Sequence, residues 1–111
     1  MGNLRVAVCD DEPMDLVQTI TLIQQYDTGK CFDIFSYTRA VDLLKIALEK
    51  PFDVVLLDIE METPNGYEIA KKLVMLPSPP VIIFVTKSSA YTLKGYGIAC
   101  LLYTSPSPRD S

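Results

Sequence analysis

The stretch Phe52-Asp53-Val54-Val55-Leu56-Leu57-Asp58 decides the fold. Val54 to Leu57 are apolar without alternation, the habit of a strand covered on both faces in a parallel sheet. The run ends on a carboxylate, and the chain leaves as Ile59-Glu60-Met61. Open α/β sheets place their chemistry outside the C-terminal ends of their strands. A second apolar run, Leu4 to Cys9, ends on Asp10-Asp11-Glu12. If the two strands lie side by side, three or four carboxyl groups converge on one small site. Like charges that close are unfavourable unless a cation sits among them. The pattern points to a magnesium site built around a reactive aspartate.

Outward from these two runs, strands and helices alternate. Leu4 to Cys9 reads as strand 1. Pro13 suits the first turn of a helix, and Asp11 and Glu12 suit its positive N-terminus. Leu16, Ile20 and Ile23, with Val17 beside them, predict an amphipathic helix over about 13–26. Asp27-Thr28-Gly29 stops it. Cys31 to Phe35 is strand 2. Ser36 or Thr38 can cap a second helix in which Val41, Leu44 and Leu48 face inward and Lys45, Glu49 and Lys50 face water; Pro51 breaks it. Val54 to Leu57 is strand 3, and Glu62-Thr63-Pro64-Asn65-Gly66 a turn. A third helix follows with Ile69, Ala70 and Leu73 as its inner face, ended by Pro77-Ser78-Pro79-Pro80. Val81 to Val85 is strand 4, and Ser88 or Ser89 caps a shorter helix reaching about Gly97. Such βαβ units with right-handed crossovers predict an α/β, doubly wound parallel sheet.

The chain has 111 residues, 49% hydrophobic, enough for one domain with a core but not for two. The formal charge is −4, and no Lys/Arg run marks a nucleic-acid surface. The apolar stretches are strand-sized, short of a membrane span. The N-terminus lacks a signal-peptide pattern. Three cysteines at wide spacing and no histidine fit neither a zinc site nor a disulfide framework. Cys9 and Cys31 lie in apolar runs and read as buried thiols. A reducing cytoplasm is the expected home.

From Cys100 the chain reads CLLYTSPSPRDS. Serine-proline repeats cannot build a strand or helix of this fold. Residues 100–110 resemble the in-frame translation of a transposase-type sequencing adapter. The expected organisation is therefore a domain over 1–99, truncated before a fifth strand, and a non-native or disordered tail over 100–111. Ala99 to Thr104 is nevertheless apolar enough to imitate a short strand 5.

A carboxylate can attack a phosphorus centre to form an acyl phosphate, a displacement that needs positioning and charge neutralisation. Magnesium supplies the neutralisation with a few carboxylates and several waters. Asp11 and Asp58 suit direct ligands and Asp10 a ligand through water. The backbone carbonyl of Glu60 is a further candidate. Thr86, ending strand 4, is placed to hydrogen-bond a transferred phosphoryl oxygen.

Four stretches together resemble the receiver domain of two-component response regulators, the CheY-like fold. They are Val8-Cys9-Asp10-Asp11-Glu12-Pro13, Val55-Leu56-Leu57-Asp58-Ile59-Glu60-Met61, Asn65-Gly66-Tyr67-Glu68 and Ile82-Ile83-Phe84-Val85-Thr86. The resemblance covers residues 4 to 99. It implies sheet order 2-1-3-4-5, here with the fifth βα unit missing. It also implies Asp58 as phosphoacceptor, Asp10 and Asp11 as the acidic pair, Glu60 as carbonyl ligand and Thr86 as switch hydroxyl. The wording around Asp10 and Thr86, with Tyr91 and Tyr96 following, looks most like receivers attached to LytTR-type DNA-binding domains. The implied partners are a sensor histidine kinase, an output domain absent from this stretch, and a second receiver as homodimer partner. No nucleic acid or membrane is expected at this segment itself.

Two departures stand out. Receivers usually carry proline four residues after the phosphoacceptor, where this chain has Glu62; Gly66 keeps its usual place. The family's lysine after strand 5 aligns with Pro106, and Lys87 is not its equivalent. The aromatic switch position of strand 5 aligns with Tyr103, which reads as coincidence.

Plainer readings exist for each feature alone. Asp10-Asp11-Glu12 can be an acidic helix start, Asp58 a strand-end turn residue, Thr86 a helix cap, Tyr91 and Tyr96 packing residues, and Lys71-Lys72 a solvated face. Among functions, a phosphorylation switch leads, not an enzyme acting on other substrates. A phosphatase or phosphotransferase with an aspartyl-phosphate intermediate is the enzymatic rival, although such enzymes commonly carry Asp-x-Asp after the first strand. A flavodoxin-like nucleotide binder would want free N–H groups there instead of acids. A pseudo-receiver used only for protein contacts is the structural rival.

Overall fold

The computed structural model describes residues 3–58, 66–86 and 99–103. Five strands form one sheet in the order β2-β1-β3-β4-β5. They are β1 (Leu4–Cys9), β2 (Phe32–Tyr37), β3 (Val54–Asp58), β4 (Val81–Thr86) and β5 (Ala99–Tyr103). The first four are mutually parallel. Helices α1 (Pro13–Tyr26), α2 (Ala40–Glu49) and α3 (Gly66–Val74) make the connections. Among the described residues no helix is long and apolar enough to cross a membrane.

Each central strand sends alternate side chains to opposite faces, and both faces are covered. Ala7, Cys9, Val55, Leu57, Ile82 and Phe84 pack with Leu43 of α2 and with Ile69, Ala70 and Leu73 of α3. Val6, Val8, Leu56 and Val85 pack with Leu16, Ile20 and Ile23 of α1. This two-sided burial is why β3 and β4 carry no polar alternation.

The strand and helix bounds follow the sequence reading closely, with three corrections. The inner face of α2 is Ala40, Leu43 and Ala47, all buried, and Leu44 is half-buried. Val41 and Leu48, expected inside, are 44% and 70% exposed. Both sets have helical spacing, so which one faces inward is decided by how α2 meets the sheet. On α1, Val17 is likewise outside and Thr19 is buried. Ser36 lies within β2 and cannot cap α2; Arg39 occupies the N-cap position, with no side-chain cap hydrogen bond.

The third correction is Cys31, expected to be buried and found exposed. It belongs to the α1–β2 turn, because β2 begins only at Phe32. The Asp27 carboxylate accepts the backbone N–H groups of Cys31 (2.7 Å) and Phe32 (2.9 Å). Lys30 takes a left-handed conformation, φ 53°, and its N–H reaches the Asp27 carbonyl at 3.1 Å. The turn is thus folded around Asp27. Cys9 is buried as expected.

At the N-terminal end of the sheet, Arg5 and Asp53 tie β1 to β3. The Asp53 carboxylate accepts the Arg5 N–H at 2.8 Å, and the Asp53 N–H donates to the Arg5 carbonyl at 2.8 Å. The Arg5 guanidinium lies over Phe35 and Phe52, 4.6 and 4.9 Å from the ring centroids. It also donates to the carbonyls of Pro51 and Lys50, just past the negative end of α2.

β5 occupies the edge beside β4, but antiparallel, with Ile83 opposite Leu102 and Thr86 opposite Ala99. The edge position is the one the family order gives strand 5; the direction is reversed. The turn over 62–65, the helix expected after Ser88 or Ser89, Lys87, Tyr91, Tyr96, Pro106 and the Ser/Pro segment lie outside the described residues.

The two faces of α2 give a direct check. Leu43→Ala should lower unfolding free energy by about 2–5 kcal/mol, and Leu48→Ala should change it by less than about 0.5 kcal/mol. Denaturant titration of both variants measures the difference; equal losses would contradict the helix orientation.

Candidate functional site

β1 and β3 are neighbours, paired so that Cys9 lies opposite Leu57. The next residue on β1 is Asp10, and the next on β3 is Asp58. The ladder to β2 continues one step further, with the Asp10 N–H donating to the Tyr37 carbonyl at 3.1 Å. This bond holds the Asp10 backbone in line with β1 while its side chain turns toward the sheet end. The Asp10 carboxylate then accepts the Glu12 N–H at 2.9 Å, a short side-chain turn of the kind aspartate favours. It leads into α1, with Glu12 at the N-cap and Pro13 first in the helix.

Asp10, Asp11 and Asp58 meet as the neighbouring strands predict. One carboxylate oxygen from each lies within 4.8 Å of the other two. Asp10 is buried, 5% exposed; Asp58 is half-buried and Asp11 exposed. The electrostatic consequence falls on Asp10. Burial, foremost, pushes its carboxyl up to about 7 from an ordinary 3.8. The Glu12 N–H acts in the opposite direction, and the charges of Asp58 and Asp15, with a hydrogen bond to the Asp58 carboxyl, push it further up. Cys9, directly beneath, is pushed up to about 12, by burial first and then by the charges of Asp10, Asp11, Asp58 and Asp42. Its thiol stays protonated and is no rival ligand.

The donor set fits a hard divalent cation. It is all oxygen, and its carboxylates run from buried to exposed. A cation would also offset the charges of Asp58 and Asp15, which add to burial in raising the Asp10 carboxyl.

Thr86 ends β4 one residue beyond Val85, which pairs with Asp58. Its backbone is therefore at the same end of the sheet as the carboxylates. Glu60 lies outside the described residues. Two contributors were not read from the sequence. Asp15, in the first turn of α1, adds its charge to the cluster; its place one turn after the acidic run was the available signal. Tyr67, at the start of α3, packs its ring on Phe84 of β4, with centroids 4.9 Å apart and planes at 48°. No local signal announces that pair, which is distant in sequence.

The comparisons with known proteins agree with this geometry. The LytR sensory transduction protein of Streptococcus mutans is 29% identical over 93 residues, covering 84% of this chain and 38% of that protein. The LytT sensory transduction protein of Bacillus cereus is 32% identical over 101 residues, covering 90% of this chain and 40% of that protein. The chain thus spans about two-fifths of the length of these curated relatives. Among solved structures, a two-component transcriptional regulator AraC from Clostridium phytofermentans superposes with TM-score 0.64 at 27% identity, covering 79% of this chain and 70% of that one. A MaeR response-regulator mutant bound to sulfate superposes with TM-score 0.67 at 19% identity, covering 86% and 88%, and speaks for the fold alone. The family model for the response regulator receiver domain matches residues 6–100. With four parallel strands in receiver order and an acidic cluster at their C-terminal ends, this chain belongs to the response regulator receiver domain family.

Proposed function

We propose that the domain takes up a phosphoryl group on Asp58 from a sensor histidine kinase, with Mg2+ held by Asp10, Asp11, Asp58 and the Glu60 carbonyl. The observation that carries this reading is the convergence of three carboxylates within 4.8 Å at the ends of adjacent strands. In the reaction, an Asp58 carboxylate oxygen forms the new O–P bond as the donor's P–N bond breaks. The electron pair leaves on the imidazole nitrogen, which takes a proton from solvent. Asp58 is half-buried, and a donor would have to approach it in line. Asp10 and Asp11 crowd its flank with charge, and bound Mg2+ supplies the positive charge that lets these carboxylates and the phosphoryl oxygens share one site. The Thr86 hydroxyl is the candidate partner for a phosphoryl oxygen. Water attack on the acyl phosphate returns Asp58, so phosphoryl uptake and loss are the only chemistry assigned.

The relatives are named as sensory transduction and transcriptional regulatory proteins. This supports a cytoplasmic switch that controls an output domain, DNA-binding in the LytTR manner, with receiver pairing as its mode of action. We also infer that the receiver proper runs over residues 1–99 and that 100–111 is adapter-derived. The reversed direction of β5 supports this, since a fifth βα unit would deliver a parallel strand. Resequencing the locus from intact genomic DNA tests it; a gene reading on through Ser105-Pro106-Ser107-Pro108 would reject it.

Asp58→Asn keeps the side-chain size but removes the nucleophile. With Mg2+ and acetyl phosphate, intact mass of the protein from the full-length natural gene should show one phosphoryl group added to the parent and none to the variant. Uptake at another residue of the variant would dismiss Asp58 as the acceptor.

The raised Asp10 carboxyl predicts a specific pH dependence of the metal-free domain. A folded-state value of about 7 against an ordinary 3.8 means that the folded chain holds a proton the unfolded chain has lost. The stabilisation is complete below pH ~4 and is lost as pH rises through about 7. Between pH 5 and pH 8 the parent should therefore lose on the order of 2–4 kcal/mol relative to Asp10→Asn, which has no such proton. Added Mg2+ should recover stability at pH 8 and do little at pH 5. Parallel denaturation curves at the two pH values for parent and variant would contradict it.

A further inference from the structure

β2 is an edge of the described sheet. At the two ends of the β1–β2 pair, the Leu4 N–H donates to the Cys31 carbonyl and the Asp10 N–H to the Tyr37 carbonyl. The odd-numbered residues of β2 therefore turn their N–H and carbonyl groups toward β1. Alternation along the strand turns those of Phe32, Ile34 and Ser36 outward. The Asp27 carboxylate takes the Phe32 N–H at 2.9 Å. At Ile34 and Ser36 the outward groups face no further strand among the described residues, which makes them a template for one. An open hollow of about 540 Å3, lined by Gln24, Asp27, Lys30, Phe32 and Ile34, lies between α1 and this edge and leaves that flank uncovered. Past Tyr37 the backbone stays extended at Arg39, with φ −129° and ψ 127°.

We propose that two copies of the domain pair antiparallel through their β2 edges, with Ile34 opposite Ser36 of the partner and Phe35 at the two-fold axis. This surface deepens the receiver pairing proposed above and rests on it. A second copy is the occupant because the edge complements itself in this register. Ile34 exchanges N–H and carbonyl bonds with the partner's Ser36, and the two-fold axis repeats the exchange, so the outward groups of both residues are satisfied. Sliding the copies until Ile34 meets Ile34 would instead drive the partner's Ser36 carbonyl against the Asp27 carboxylate at the Phe32 N–H. On the α1 side the chosen register sets large against small, Ile34 beside the partner's Ser36 and Phe32 beside its Thr38. On the other side Asp33 falls beside the partner's Tyr37, so no like charges oppose each other. Arg39, exposed, comes opposite the partner's Cys31, and the Cys31 N–H donates to the Asp27 carboxylate at 2.7 Å. Each end of the pairing thus places a guanidinium beside a carboxylate.

The test uses the protein from the full-length natural gene, followed by sedimentation over a concentration range and by amide hydrogen exchange. As the dimer forms, the Ile34 and Ser36 amides should exchange more slowly, while the Phe35 amide, turned toward β1, should change little. Ser36→Pro removes only an outward N–H, a change an edge strand tolerates, and should weaken the dimer by about 5- to 150-fold. Ser36→Ala keeps that N–H and should pair like the parent. Arg39→Glu sets like charges beside the partner's Asp27 and should weaken the dimer most at low salt. Circular dichroism checks that each variant is folded; should Ser36→Pro fail to fold, exchange in the parent and sedimentation of Arg39→Glu decide. A dimer whose Ile34 and Ser36 amides exchange as in the monomer, or one as tight in Arg39→Glu as in the parent, would overturn the edge pairing and leave receiver pairing standing. A parent that stays monomeric throughout would overturn both.

Discussion

Parallel pairing of β1 with β3 puts Cys9 opposite Leu57, so the next residues, Asp10 and Asp58, end two strands only about 4.8 Å apart. Burial, and after it the charge of a neighbouring carboxylate, raises the carboxyl that packing shuts away from water. Asp10 is that one. Burial first, and then the neighbouring charges that this register brings together, raise the Asp10 carboxyl and the Cys9 thiol, and the cation affinity proposed for the cluster follows from the same register. A slip by a single residue would turn every side chain of the strand to the other face. It would part the carboxylates and empty both cores together.

The register is held from the opposite end. Arg5 and Asp53 exchange backbone and side-chain hydrogen bonds where β1 and β3 begin. The Asp53 carbonyl also accepts the Val81 N–H at 3.0 Å, bringing β4 into the same alignment. The Arg5 guanidinium closes that end by lying over Phe35 and Phe52. One end of the sheet thus pairs its charges and spends them on order. The other end gathers like charges whose repulsion only protonation or a cation relieves. The charge-paired end and the acidic end of the receiver are built from the same two strands.

The two sheet faces are loaded unequally. α2 and α3 cover one, and among the described helices α1 alone covers the other. β4 bridges the difference, sending Phe84 to the first face and Val85 to the second. β4 is thus gripped on both faces and runs one residue past the pairing of Val85 with Asp58.

Much of this was legible in the residues. Unbroken apolar runs marked β3 and β4, because burial on both faces leaves no room for polar alternation. Carboxylates closing the runs at Cys9 and Leu57 marked the site, because parallel strands bring their C-terminal ends together. The inner face of α3 was legible for the opposite reason: Ile69, Ala70 and Leu73 have charged neighbours on the other side. The inner face of α2 was not, because Val41, Leu44 and Leu48 offer a stripe as regular as Ala40, Leu43 and Ala47. Only docking against Phe52 and the sheet chose between them. Nor could the chain alone show that Cys31 is exposed, that Arg5 lies between two aromatic rings, or that Tyr67 meets Phe84. The sequence by itself determined the fold and the residues of the acidic cluster, since periodicity and strand ends are local properties. Tertiary structure decided that the Asp10 carboxyl is raised by burial, which helix face is buried and which rings touch, because burial and proximity arise only when distant segments pack.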